Sequence, residues 1–262
     1  MTAIGDWQDL PLRTFSAIVL LTVSSLCIYF GNPFFAFFIL LLVSIVHWEL
    51  GKMLSPISKQ VPWFSFLFSF FSLFFIMLVD NLLFATFMLL LNFGFQRVFF
   101  HHSKFFGALY STLIVVCGLV FYNLRLDFGL YHVSWLISVV IITDVAGYFT
   151  GKMVGGPKVF PKISPNKTWS GVIGGWLAVG LFSLFFVGNV APPDLFITFV
   201  VGSVLLSVAA QIGDIIQSRL KRVREVKDSS NLLPGHGGFM DRLDGFIGAT
   251  VIIGPFFQWI IQ

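Results

Sequence analysis

LFITFVVGSVLLSVAAQIGDIIQ, spanning Leu195–Gln217, decides the fold. Nothing charged precedes Asp214 in this run. At about 1.5 Å per residue a helix of this length crosses a hydrocarbon core about 30 Å thick. In lipid the backbone must satisfy its own hydrogen bonds, so such a run reads as a transmembrane helix. Eight more runs read the same way: Phe15–Phe30, Phe34–Trp48, Trp63–Val79, Leu82–Phe95, Phe105–Tyr122, Leu130–Phe149, Val172–Val190 and Leu243–Ile261. The fourth is short and extends to Phe100 if Arg97 snorkels. The whole chain agrees with this reading, because its 262 residues are 57% hydrophobic and 11% charged, against about 25% charged in soluble domains. The fold expected is all-α, a polytopic integral membrane protein of about nine transmembrane helices with a cytoplasmic-side polar site.

The breaks between runs are turn formers: Gly31-Asn32-Pro33, Asp80-Asn81, Asp127-Phe128-Gly129 and Pro192-Pro193-Asp194. Assigning the Lys and Arg residues to sides tests the topology independently of hydropathy. Of 16 such residues, only Arg125 falls opposite the rest. The positive-inside rule then puts the N-terminus and the basic loops in the cytoplasm, and an odd span count puts the C-terminus outside. The first residues, with Asp6, Trp7 and Asp9, lack a basic n-region and a cleavage site, so the run after Arg13 is expected to stay as the first helix. Residues 1–262 are expected to form a single membrane domain, with N-terminal helices over 15–149 and catalytic loops and the last three helices over 150–262. Cys27 and Cys117 sit in apolar runs without metal-ligand spacing and read as buried, reduced thiols.

A carboxylate inside the hydrocarbon costs at least about 2.5 kcal/mol unless it faces a cavity or a partner. Asp144 and Asp214 are two such groups, each within two turns of a cytoplasmic helix end; either is also readable as an interhelical hydrogen-bonding residue. After the eighth run come Ser218, Arg219, Lys221 and Arg222, then Lys227-Asp228, Gly235-His236-Gly237-Gly238, and Asp241-Arg242-Leu243-Asp244. Asp241 and Asp244, at i and i+3, share a face at a helix start, where carboxylates are favoured and can hold a hard cation. The glycines admit close backbone approach, and the clustered cations suit phosphate oxygens. A solvated basic loop with a capping Asp accounts for the charges, but not for their meeting Asp214. A second loop, Gly151–Trp169, carries Lys158, Lys162 and Ser164-Pro165-Asn166-Lys167-Thr168-Trp169; Ser and Thr there cap a helix, or the helix start and Lys167 seat a phosphate. His101-His102 reads as an exposed turn and His132 as interfacial, while His47 and Glu49 stay unassigned. These features describe a polyanionic, metal-bound substrate meeting the inner membrane surface and do not name a reaction.

From Ser218 to Asp244 the chain resembles the signature of the CDP-diacylglycerol synthases, or phosphatidate cytidylyltransferases: S-x-L-K-R, then K-D, then L-P-x-H-G-G-F-x-D-R-L-D. Ser164–Gly171 is similar to the family's S-P-K-K-T-W-E-G segment, with Asn166 and Ser170 as departures. Gln211-x-Gly213-Asp214-x-x-x-Ser218 and Arg13-x-x-Ser16-Ala17 also resemble it. The resemblance implies transfer of CMP from CTP to phosphatidate, giving CDP-diacylglycerol and pyrophosphate. It implies Mg²⁺, with a second cation allowed, held by Asp214 and Asp241, with Asp144 and Asp244 as secondary ligands. Lys221, Lys227 and Arg242 are expected to act on phosphates beside those two carboxylates. Lys167, Thr168, Ser218, Arg222, His236, Gly237 and Gly238 are expected to bind substrate, His236 as a structural or phosphate contact. Asp228 is expected to orient a lysine. The implied partners are CTP, phosphatidate and membrane lipid, with no nucleic acid and with a homo-oligomer allowed; the implied location is the cell inner membrane. A relative acting on another lipid phosphate, and an anion transporter, are the alternative readings.

Overall fold

The computed structural model describes residues 10–79, 81–233 and 237–261, with side-chain environments for residues 14–253 among them. The expectations for Asp6, Asp9, Asp80, Gly235 and His236 lie outside the described residues. Among the described residues nine α-helices follow in chain order: α1 Leu10–Phe30, α2 Phe34–Leu54, α3 Val61–Val79, α4 Leu82–Phe99, α5 Lys104–Asn123, α6 Leu130–Val154, α7 Trp169–Ser183, α8 Phe196–Val223 and α9 Met240–Ile261. Seven among the described residues are long and apolar enough to cross a membrane, and α1 adds a shorter apolar helix, Thr14–Phe30. This is an all-α polytopic membrane protein. The fourth run continues to Phe99, with the Arg97 guanidinium 5.6 Å from the centre of the Phe105 ring. The seventh, expected to reach Val190, ends as α-helix at Ser183; a 3₁₀ turn over Leu184–Phe186 follows, and Gly188 turns the chain with φ +87°.

The chain packs as two compact units. The first comprises residues up to Tyr122 together with Val223–Arg242, and the second comprises Asn123–Arg222 together with Leu243 onward. In the first, α2 lies against α3 around the fully buried Val46, Leu50, Leu54 and Leu73. Gly118 of α5 leaves room for Val43, Leu73 and Ile39. A polar seam runs inside this unit: His47 Nε2 meets Ser111 Oγ at 2.9 Å, Asn92 Nδ2 donates to that hydroxyl at 3.1 Å, and Ser65 Oγ donates to Gln96 Oε1 at 2.8 Å. Small polar side chains bind helices to one another where lipid offers no hydrophobic drive. Neither cysteine forms a disulfide; Cys117 is buried and Cys27 half-buried.

In the second unit, α6 and α7 approach through small residues, Gly147 and Gly151 against Gly171, and Gly175 against the Thr143 backbone. A Cβ on Gly171 would fall on the Gly147 carbonyl oxygen. Gly171→Val is therefore expected to lower the unfolding temperature of the detergent-solubilised protein, since overpacking costs about 1–3 kcal/mol. Gly94→Ala, whose Cβ meets nothing within 4 Å, is the control and leaves that temperature within experimental error.

An antiparallel hairpin interrupts the helices, β1 Lys158–Phe160 paired with β2 Ser164–Thr168. The sequence reads there as a capping loop, because strands of three and five residues lack an apolar alternation. Their pairing carries Lys167 and Thr168 to the start of α7. The Thr168 hydroxyl accepts from Gly171 N at 3.2 Å and so caps that helix.

Candidate active site

In the second unit, Lys167 Nζ donates to Asp214 Oδ2 at 2.9 Å and to the Gln211 carbonyl at 3.3 Å. One turn further along α8, Ser218 Oγ donates to Asp214 Oδ1 at 3.3 Å. A carboxylate offers about four lone-pair sites, so Asp214 keeps capacity beyond these two bonds. Gln211 is braced in turn: Trp176 Nε1 donates to its Oε1 at 3.1 Å, and its Nε2 donates to the Val172 carbonyl at 3.4 Å. Lys167, Asp214 and Gln211 border a cavity of about 410 Å³ that is also lined by Asp144, Lys152 and Lys158, with Thr168 at its wall. That volume lies within the range of small-molecule sites, about 300–1,000 Å³. A larger groove of about 570 Å³, between α7 and α8, is lined by apolar residues such as Ile173, Leu181 and Val204 and offers no group for phosphate chemistry.

Asp144, Asp214 and Asp244 act on one another electrostatically, with Lys167 opposing the charge at Asp144 and Lys221 opposing it at Asp244. Carboxylates gathered beside two lysines are a setting that suits a divalent cation. Among the described residues, no three His, Cys, Asp or Glu side chains converge as a protein-only metal cage requires. Mg²⁺ asks for less, taking one or two carboxylates and completing its shell with water and phosphate. The donor set thus fits Mg²⁺ rather than a zinc-type site.

The first unit holds the rest of the basic loop. One oxygen of Asp241, Oδ2, accepts from Ser229 N at 2.8 Å, Ser229 Oγ at 3.0 Å and Gly238 N at 3.1 Å. Gly237 has φ +84°, a conformation glycine adopts without strain, and its carbonyl accepts from Leu233 N at 2.9 Å. Gly238 is buried, and a Cβ there would lie 2.7 Å from Glu49 Oε1. Lys227, Asp228 and Arg242 are exposed and Lys221 is half-buried, while Arg222 Nε reaches the Ile163 carbonyl at 3.4 Å within the second unit. Glu49, unassigned from the sequence, is completely buried and receives hydrogen bonds from Ser230, Phe239 and Met240. Its only sequence signal was a carboxylate at the end of an apolar run, the feature that singled out Asp144 and Asp214.

Apolar helices and a cavity lined by carboxylates and lysines define an integral membrane protein with a charged cavity in its second unit. More narrowly, the chain belongs to the cytidylyltransferase family, whose model matches residues 11–260. It is 46% identical over 126 residues to a phosphatidate cytidylyltransferase of Brucella suis, covering 48% of this chain and 46% of that protein. Against the phosphatidate cytidylyltransferase of Bacillus subtilis it is 37% identical over 158 residues, 60% of this chain and 57% of the relative. A Staphylococcus aureus protein of the same name is 39% identical over 144 residues, 53% of this chain and 54% of its own length. The chain thus spans about half the length of the curated relatives it matches.

Proposed function

We propose that this protein transfers CMP from CTP to phosphatidate at the inner membrane surface. A phosphatidate oxygen forms a bond to the α-phosphorus of CTP, the α–β phosphoanhydride breaks, and pyrophosphate leaves with the electron pair. No protein nucleophile is needed, so catalysis reduces to positioning and charge neutralisation. The observation that carries the proposal is the Lys167–Asp214 pair, 2.9 Å apart, in a polar cavity that also holds Asp144, within a chain of the cytidylyltransferase family. Asp214, with Asp144 in the same cavity, would hold Mg²⁺, which supplies charge neutralisation to the triphosphate when bound. Lys167 orients Asp214 and offers its ammonium to phosphate oxygens, while Lys221 tempers the charge at Asp244. Asp241 ties Ser229 to Gly238, and Lys227 and Arg242 nearby in the chain would contact phosphate.

The test is CMP transfer by the purified full chain, with phosphatidate and an isoprenoid-ether phosphate as parallel acceptors. CTP- and Mg²⁺-dependent formation of CDP-diacylglycerol is expected, and its absence with phosphatidate overturns the assignment. The orientation proposed from the Lys and Arg distribution puts a reporter fused at Gln262 outside the cell and tags beside Lys52, Lys158 and Arg222 inside. A cytoplasmic signal at Gln262 would mean one span has been counted wrongly.

A further inference from the structure

Glu49 occupies the last turns of α2, far in sequence from every motif described above, and its side chain is buried with a relative exposure of 0%. Its carboxylate takes three hydrogen bonds of its own. Oε1 accepts from Ser230 Oγ at 2.5 Å and Phe239 N at 3.0 Å, and Oε2 accepts from Met240 N at 2.7 Å. Ser229 Oγ is 3.3 Å from Oε2 and 3.0 Å from Asp241 Oδ2, and its single hydrogen serves one of the two at a time. The Phe239 and Met240 amides are free donors at the start of α9, which a carboxylate both pairs and stabilises through the helix dipole. Ser229 Oγ lies between Glu49 Oε2 and Asp241 Oδ2, so the two acids grip the same segment from both sides.

We propose that Glu49 is a positioning residue for the nucleotide, tying Ser230 to Phe239 and Met240 through these bonds so that the neighbouring Lys227 and Arg242 stay in register for triphosphate. This rests on the cytidylyl-transfer reading of the protein. Glutamine cannot substitute: turned so that its amide nitrogen donates to one serine, it presents that same nitrogen to a backbone N–H that needs an acceptor. Aspartate, one methylene shorter, cannot reach both ends of the segment. Each amide or hydroxyl left without a partner loosens the loop without touching the carboxylates in the second unit.

The experiment compares wild type with Glu49→Gln and the milder Ser230→Ala, each as the full chain, by hydrogen exchange at Phe239 and Met240 and by steady-state kinetics. Expected for Glu49→Gln are loss of amide protection at both residues and a rise in the KM for CTP of at least about fivefold, the equivalent of one lost buried hydrogen bond. The KM for phosphatidate stays unchanged, and Ser230→Ala shows the same changes to a smaller degree. A variant that had merely lost part of its folded population would lower kcat and leave the KM for CTP unmoved, and that result overturns the proposal. So does wild-type protection at Phe239 and Met240. If Glu49→Gln cannot be purified, Ser230→Ala decides between the same outcomes. A wild-type protein without CTP turnover would refute the enzymatic reading instead, while the exchange data would still report whether Glu49 holds the loop.

Discussion

Asp214→Asn is expected to lower CTP-dependent turnover about 10²- to 10³-fold, the cost of losing one preorganised electrostatic contact at a reacting centre. The substitution keeps the shape of the site. Asn Oδ1 can take the place of Oδ2 in accepting from Lys167, and Nδ2 can donate to Ser218 Oγ, since a hydroxyl also accepts. What disappears is one negative charge from the group of Asp144, Asp214 and Asp244, together with an oxygen donor suited to a hard cation. The loss should therefore appear at every Mg²⁺ concentration, with insertion and yield as in wild type. A near-native rate at limiting Mg²⁺ would remove Asp214 from the metal site.

Lys167→Met is expected to reduce kcat/KM for CTP about ten- to 150-fold, the worth of one charge-assisted hydrogen bond of about 1.5–3 kcal/mol. Methionine retains the length and apolar stem of lysine and loses its charge. The competing explanation is that Lys167 only braces Asp214, because the side chains are 17% and 30% exposed and each shields the other from isolation. The double variant Lys167→Met/Asp214→Asn separates the two. A brace is repaired when both charges go, since the damage in each single variant is an unpaired charge. If both groups act on the nucleotide, the double variant is at least as impaired as the worse single one. Recovery toward wild-type activity in the double variant would reassign the pair to structure.

The cost of excess residues differs sharply between these sites and the helix interfaces. Gly171 and Gly238 are both intolerant of a Cβ, but for different reasons: the first faces a backbone carbonyl of α6, the second faces Ser229 and Glu49. Substitution at Gly171 is expected to appear in stability, as set out above. At Gly238 the displaced groups are those that hold the loop, so nucleotide handling should suffer with it.

The helices were legible from the sequence because lipid leaves the backbone no alternative partner: an apolar run of sufficient length must be a helix, as α2, α3, α5 and α8 show. The carboxylates Asp144 and Asp214 were legible for the related reason that a charge in such a run is costly without a use. Asp241 was legible as part of a motif, though its Oδ2 turns out to hold Ser229 and Gly238. The hairpin that carries Lys167 was not, because a three-residue strand is stabilised by its partner rather than by its own residues. The Lys167–Asp214 pair joins positions 47 residues apart, and Glu49 meets Met240 across 191. Composition and local periodicity act over a few turns of helix, so they determined the elements and marked the costly charges; which donor meets which acceptor was decided only when distant segments packed, because a buried carboxylate takes whatever N–H and O–H groups the fold brings to it.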